Sequence, residues 1–444
     1  MLKGWSQKLW LLLASYAFYA YFSLPYTILL LASTLVDYLL GIAMASRPKK
    51  RKTWATLSVV FNLSLLASFK YTAFLFNDLT IPIANLFGVG SLDPIEGQLP
   101  PMGISFFTFQ TLSYSLDIYR GHLKPTKSLL DFAVYVSMFP QLVAGPIVRA
   151  KELLHQITGR SRFNLTDLKV GLKRFSIGLV KKICLADALA IMLVDPIHND
   201  PTAFGSEAKA IAIIAYSFQI YFDFSGYSDM AIGLGRMMGF SFPENFRHPY
   251  QATSFSDFWK RWHISLSSWL RDYLYIPLGG NRNGPTRTQI NLILTMALGG
   301  LWHGASWNFL IWGLLHGLFL VCQKIGGKLL PNGLHSALAM PLVFIAVSFA
   351  WIPFRAEGFE HILPLALAPF QTSVEGWGSW FHHHSSSTLV ILLAALAHWH
   401  PLLKQLLRWT DWPIEIKTIA ITTFCFWAIS LKPEGASPFI YFQF

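Results

Sequence analysis

Long apolar runs separated by short polar stretches make up most of the chain. A helix needs ~20 mostly apolar residues to cross a ~30 Å hydrocarbon core. Runs of this kind fall near 9–23, 25–45, 54–76, 103–119, 130–148, 173–192, 208–224, 226–240, 290–302, 305–325, 338–354, 386–399 and 415–431. Several are short or carry polar residues, so the pattern predicts about 10–11 transmembrane helices, with the remaining runs dipping in or lying flat. No soluble domain, internal repeat or low-complexity linker interrupts the pattern, and residues 1–444 read as a single membrane domain.

Residues 253–275, "TSFSDFWKRWHISLSSWLRDYLY", follow a different rule. Large apolar residues recur at 255, 258, 259, 262, 266, 269, 270 and 273, one stripe at helical spacing, while Lys260, Arg261 and Arg271 lie off it. Ser254 and Asp257 are spaced like a capping box. The spacing predicts an amphipathic helix over about 254–275, either in the membrane interface or on the floor of a cavity.

Composition strengthens the membrane reading. Hydrophobic residues make up 53% of the chain and charged residues 13%, against about 25% charged in an average soluble protein. The mean hydropathy is +0.43. Leu9 to Tyr19 could serve as the apolar part of a secretion signal, but no small-residue cleavage site follows, so a retained segment is expected. The net charge of +12 gathers between apolar runs. That is the distribution of cytoplasmic loops rather than of a nucleic-acid surface. "RPKKRK" (Arg47 to Lys52) marks one such loop, and Arg120, Lys124 and Lys127 another. The loop between them carries Asp78, Asp93 and Glu96 and no basic residue. Cys184, Cys322 and Cys425 are far apart in apolar sequence, with no CxxC pair, and read as small core residues.

Against this background two histidines stand out in "GGLWHGASWNFLIWGLLHG" (299–317), the centre of a segment spanning about 290–325. His303 and His316 are thirteen residues apart. On one straight helix that is a difference of ~220°, so they would not share a face, and no metal site is expected. A lone histidine such as His316 is ordinarily a hydrogen-bonded core residue. His303 lies among Gly299, Gly300 and Gly304, which weaken the helix around it. Broken backbone at membrane depth survives only inside protein or beside water. An ionisable group there is a functional candidate, and imidazole titrates near about 6.5. On the residues alone a catalytic and a structural role both stand open for His303. If it is catalytic, it acts as general base on a hydroxyl, with Trp302, Trp307 and Asn308 lining the site and Asn308 holding the imidazole or an oxyanion.

Other chemical motifs are missing or incomplete. "GYSDM" lacks the last glycine of GxSxG, "GLGRMMG" is not GxGxxG, and Asn308 stands where an HxxxxD acyltransferase motif needs aspartate. Asp223, Asp229 and Arg236 lie in apolar sequence, and the seven-residue spacing of Asp229 and Arg236 puts them on one face and predicts an ion pair between them, with pocket lining as the alternative.

Taken together, "PMGISFFTFQTLSYSLDIYRG" (101–121), "MFPQLVAGPIVR" (138–149), "YFDFSGYSDMAIGLGRMMGF" (221–240), "PYQATSFSDFWKRWHISLSSWLRDYLYIPLGGNR" (249–282), the 299–317 stretch and "PFIYFQF" (438–444) resemble the membrane-bound O-acyltransferase family, in particular its alginate O-acetylation (AlgI-type) branch. The resemblance implies an all-α integral membrane enzyme built around a central tunnel. It implies His303 as the catalytic residue, and His316 and His263 as supporting or tunnel-lining residues. It also implies acetyl transfer from a cytoplasmic thioester, acetyl-CoA or another acyl thioester, with no covalently bound cofactor. The acceptor would be an extracellular polysaccharide, reached with a periplasmic or membrane-anchored SGNH-hydrolase-like partner, and the location the bacterial inner membrane. Family members carry one more apolar segment before "LWLLLASYAFYAY", where Met1 to Lys8 stand here. The competing expectations are a transporter of acyl donor or polysaccharide precursor, and a scaffold in a secretion complex.

Overall fold

The computed structural model describes residues 4–88, 92–159, 164–326, 336–371 and 385–406, together with Pro413, Ile416, Thr423 and Phe439. All regular structure among these residues is helical. The chain falls into two compact units. The first comprises Met1–Phe175, Met230–Glu244 and Arg271–Tyr273, and the second Ser176–Asp229, Asn245–Leu270 and Leu274–Phe444.

The first unit contains α1 (Trp5–Phe22), α2 (Leu24–Ser46), α3 (Arg51–Lys70), α4 (Ile104–Arg120), α5 (Leu129–Ser137) and α6 (Ala150–Thr158). Its core gathers Phe107, Tyr114, Phe132, Tyr135, Leu142 and Leu153, none with any exposed surface. α4 is buried along nearly its whole length, so its polar side chains must find partners inside the protein. Thr111 Oγ1 donates to Asn62 at 2.9 Å and Ser115 Oγ accepts from Ser58 at 2.8 Å, while Ser58 and Asn62 of α3 also donate to Asp37 of α2 at 2.8 and 2.9 Å. α4 stops at Gly121, whose φ of 79° is open to glycine but strained for other residues. The amide of His122 then closes the end on the Asp117 carbonyl. Arg149 meets Asp272 at 2.7 Å, and the Tyr273 hydroxyl donates to Asp117 at 2.9 Å.

The second unit contains α9 (Phe255–Arg261), α10 (Ile264–Leu270), α11 (Gly284–His303), α12 (Trp307–Gly326), α13 (Ser336–Arg355) and α14 (Ser385–Leu406). Two helices, α7 (Leu165–Val180) and α8 (Ser206–Met237), have residues in both units.

Some of the predicted segments take a different form. The runs 208–224 and 226–240 make one helix, α8, of 32 residues. Gly226 does not break it, because its bare Cα faces the backbone of Gly178 and Lys182, which a Cβ would push away. The run 130–148 is not one helix: α5 ends at Ser137, and a single short turn, Phe139–Leu142, follows. The amphipathic stretch 254–275 is broken at Trp262–His263, where His263 adopts a φ of 40°. That left-handed conformation cannot continue a right-handed helix. The Ser254 cap holds as expected, its Oγ accepting from the Asp257 amide at 3.1 Å, and the apolar stripe faces inward, with Phe258, Trp262, Leu266, Trp269 and Leu270 buried.

By length and composition, Leu24–Ser46, Trp307–Gly326 and Leu338–Arg355 are each able to cross a membrane. A fourth candidate is the pair Pro48–Lys70 and Thr72–Leu86, bent by 73°. Run 415–431 lies outside the described residues apart from Ile416 and Thr423, as does Cys425. Cys184 is buried, as expected of a core residue, whereas Cys322 is exposed on α12.

Candidate active site

α11 and α12 form an antiparallel pair joined by the turn Gly304–Ser306. They approach closely because three glycines face the partner backbone. A Cβ on Gly300 would strike the carbonyl of Phe309, one on Gly313 the carbonyl of Met296, and one on Gly317 would sit against Ile293. Gly313 and Gly317 have the small-xxx-small spacing that lets membrane helices touch. This pairing overturns the premise of the single straight helix. His303 ends α11 and His316 lies in the middle of α12, and the indole of Trp312 touches both, at ring separations of 5.0 and 4.9 Å.

His303 is 4% exposed. Its ring lies 5.0 Å from Trp302, 5.3 Å from Phe354 of α13 and 6.4 Å from His263. His263, fully buried, packs its edge on Phe224 of α8 at 4.6 Å and reaches Trp302 at 6.2 Å. The structure thus brings His303, His263 and Trp302 together. His316 shares Trp312 with His303. It is enclosed by Trp259 at 5.1 Å, Phe258 at 5.9 Å, Phe319 at 5.8 Å and Trp351 at 6.0 Å. Neither of its ring nitrogens has a hydrogen-bond partner among the described residues, so it is not the hydrogen-bonded core histidine expected of it.

The other two expected lining residues separate. Asn308 is buried, and its Nδ2 donates to the Ala356 carbonyl at 2.8 Å. It braces the chain after α13 rather than the imidazole. Trp307 is half-buried at the first position of α12.

Next to this cluster is a recess of about 600 Å³, lined among others by Gly304, Ser306, Asn308, Phe309, Phe354 and Arg355. Phe354 belongs both to this lining and to the ring contacts of His303. Phe354 thus touches both the imidazole and the recess. Arg355, Asp195 and Phe354 were not singled out by sequence. The signal available was "WIPFR", an aromatic and an arginine closing an apolar run.

The family model for MBOAT, the membrane-bound O-acyltransferase family, matches residues 11–332. The chain belongs to that family. It is 42% identical to a probable alginate O-acetylase AlgI of Pseudomonas syringae pv. tomato, over 80% of this chain and 68% of the relative. It is 38% identical to a peptidoglycan O-acetyltransferase of Helicobacter pylori, over 80% and 72% respectively. A teichoic acid D-alanyltransferase of Streptococcus thermophilus is 30% identical over 62% of this chain and 72% of its own length. These relatives all transfer acyl groups by name, so the MBOAT chain is read as an acyltransferase and not as a transporter or a scaffold.

The MBOAT chain also handles its buried charges differently from expectation. Asp229 pairs with Lys181 at 2.7 Å, and Arg236 with Asp167 at 2.7 Å, not with each other. Both partners lie on or just beyond α7, packed beside α8, and sequence spacing within α8 could not reveal them. Lys182 lies between two carboxylates, Asp223 at 2.5 Å and Asp187 at 2.6 Å. Each charged side chain named here meets an opposite charge, the usual arrangement of structural ions at membrane depth. The ring contacts of His303 are of another kind, with Trp302, Trp312, Phe354 and His263.

Proposed function

We propose that this MBOAT protein O-acetylates an extracellular polysaccharide of the bacterial envelope, with His303 as the general base. The donor is a thioester on the cytoplasmic side of the inner membrane, acetyl-CoA or a related acyl thioester. The acceptor hydroxyl reaches the imidazole from the recess as Phe354 swings aside. Its oxygen attacks the thioester carbonyl carbon while its proton passes to His303. The C–S bond then breaks, and the departing thiolate takes up that proton, so that an ester and a free thiol leave together. Proton transfer of this kind contributes about 10²–10⁴-fold, and holding both substrates in one site contributes as much or more. Trp302, Trp312 and His263 keep the imidazole in place. An SGNH-hydrolase-like partner carries the acetyl group on to the polymer.

The observation that carries this reading is the position of His303, at the end of α11, its ring 5.3 Å from Phe354, which lines a 600 Å³ recess. The names of the alginate and peptidoglycan O-acetylating relatives support the reaction and the class of acceptor. The test is a strain carrying His303→Ala in place of the natural gene. Base-labile acetyl esters should disappear from one envelope polymer while the protein remains in the membrane at its normal level. Normal esterification in that strain contradicts the proposal.

A further inference from the structure

The two basic loops of the first unit are tied together. Arg51, the first residue of α3, donates from its Nη2 to the Ile118 carbonyl in the last turn of α4. Beyond α4 the chain folds back on its neighbours. The Tyr38 hydroxyl of α2 donates to the Lys127 carbonyl at 2.8 Å, and the Thr126 amide donates to the Tyr114 hydroxyl at 3.3 Å. "RPKKRK" (47–52) and the stretch 120–128 therefore meet where α2 and α4 end and α3 begins. Arg51 is spent on that junction, and Arg120 donates to the Asp272 carbonyl at 3.0 Å. Six other cations of the two loops are exposed: Arg47, Lys49, Lys50, Lys52, Lys124 and Lys127. None of them has an ion-pair partner among the described residues. The two stretches contain no acidic residue. The acids nearest in sequence are buried and engaged, Asp117 by the Tyr273 hydroxyl at 2.9 Å and Asp131 by Lys8 at 2.6 Å. Membrane topology accounts for the sign of these charges, but not for their gathering into one patch.

Away from the patch the same helices are apolar on the outside. α2 leaves Ile28, Leu31, Leu35 and Leu39 exposed, and α3 leaves Leu57, Val60 and Leu63. Each set recurs every three or four residues, one stripe along its helix. Both stripes lead toward the basic loop that joins the two helices. There the Arg47 guanidinium lies over the Trp54 ring at 5.9 Å, and tryptophan settles at headgroup depth. Cations at one end and alkyl faces along the helices match one class of ligand. A phospholipid carries both complements on one molecule. Its phosphate oxygens accept from ammonium groups, and its acyl chains cover apolar helix faces. A water-soluble phosphate compound, such as a coenzyme A thioester, would use the cations alone.

We propose that this end of the first unit binds an anionic phospholipid, its headgroup held by the two basic loops together and its acyl chains lying along α2 and α3. The inference is independent of the role given to His303.

The test places the full chain in nanodiscs of equal parts phosphatidylcholine and phosphatidylglycerol. Mass spectrometry then counts the lipids that stay bound after mild detergent extraction. A lysine beside an anionic headgroup contributes about fivefold, so the wild type should keep phosphatidylglycerol over phosphatidylcholine by about tenfold or more. Lys49→Gln with Lys50→Gln should lower that ratio by about tenfold, and Lys124→Gln with Lys127→Gln by about fivefold. Lys324→Gln, exposed in the last turn of α12, should leave it unchanged. All five lysines are exposed, so the variants should fold, and an unchanged elution volume checks this. Raising the salt from about 50 to about 500 mM should lower the ratio in the wild type, with no substitution at all. A wild-type ratio near one overturns the inference. So does a ratio that only one of the two pairs moves, or that Lys324→Gln moves as far. Displacement of phosphatidylglycerol by micromolar coenzyme A also overturns it, and assigns the patch to the thioester donor.

Discussion

Lys182 and His316 are both buried ionisable residues, and their surroundings have little in common. Lys182 follows α7 in a wide helical turn, Lys181–Ala186, and contacts Asp187 and Asp223. The face of Tyr227 lies 5.7 Å from its ammonium. His316 is surrounded by rings: Phe258, Trp259, Trp312, Phe319 and Trp351. The difference follows from chemistry. Lysine can shed its charge only at a large cost in such a place, so it is held by opposite charges. Histidine can be neutral, and a neutral imidazole packs like any flat ring. His303, with Trp302, Trp312 and Phe354 around its ring, shares the second kind of surroundings.

The largest effect on folding should come from breaking the ionic side of this contrast. Lys182→Met leaves two carboxylates buried without their cation and should cost about 3–5 kcal/mol. Thermal unfolding in nanodiscs measures it, and adding Asp187→Asn and Asp223→Asn should restore most of the loss. A neutral Lys182→Met would erase the distinction between the two regions. A smaller loss is expected at the helix pair. Gly313→Ala places a methyl against the Met296 carbonyl and should cost about 1–3 kcal/mol. It should also move Trp312 away from His303 and cut acetyl transfer by more than tenfold, since displacements near 1 Å cost about 10²-fold. Stability loss without loss of transfer would show that the close approach of α11 and α12 serves packing alone. The smallest effect is expected at His316→Phe. A ring of similar shape replaces one with no hydrogen bonds among the described residues, so stability should stay within about 1 kcal/mol and transfer within about threefold. Abolished transfer would place His316 in the chemistry.

Parts of this arrangement were legible in the chain itself. The glycines around His303 announced a broken helix, and the break is there, at Gly304. Ser254 announced a helix start, and its side chain caps α9. The angular argument about His303 and His316 considered one straight helix, whereas the two residues lie on paired helices, whose close approach depends on Gly300, Gly313 and Gly317. The pairing of Asp229 with Arg236 failed for a related reason. Helical spacing lists which residues share a face, but their partners came from α7 and its following turn, far away in sequence. Arg355 and Phe354 were invisible as site residues because their role depends on α13 ending beside the α11–α12 turn, and no local pattern encodes that meeting.

The most direct measurement is the rate of acetyl transfer from an acetyl thioester by the purified full chain, wild type against His303→Ala, with and without added imidazole. The variant should unfold at the wild-type temperature and lose about 10²–10⁴-fold in rate, with part of the loss recovered by free imidazole entering the vacated space. A variant that transfers acetyl within twofold of the wild-type rate would contradict the role assigned to His303.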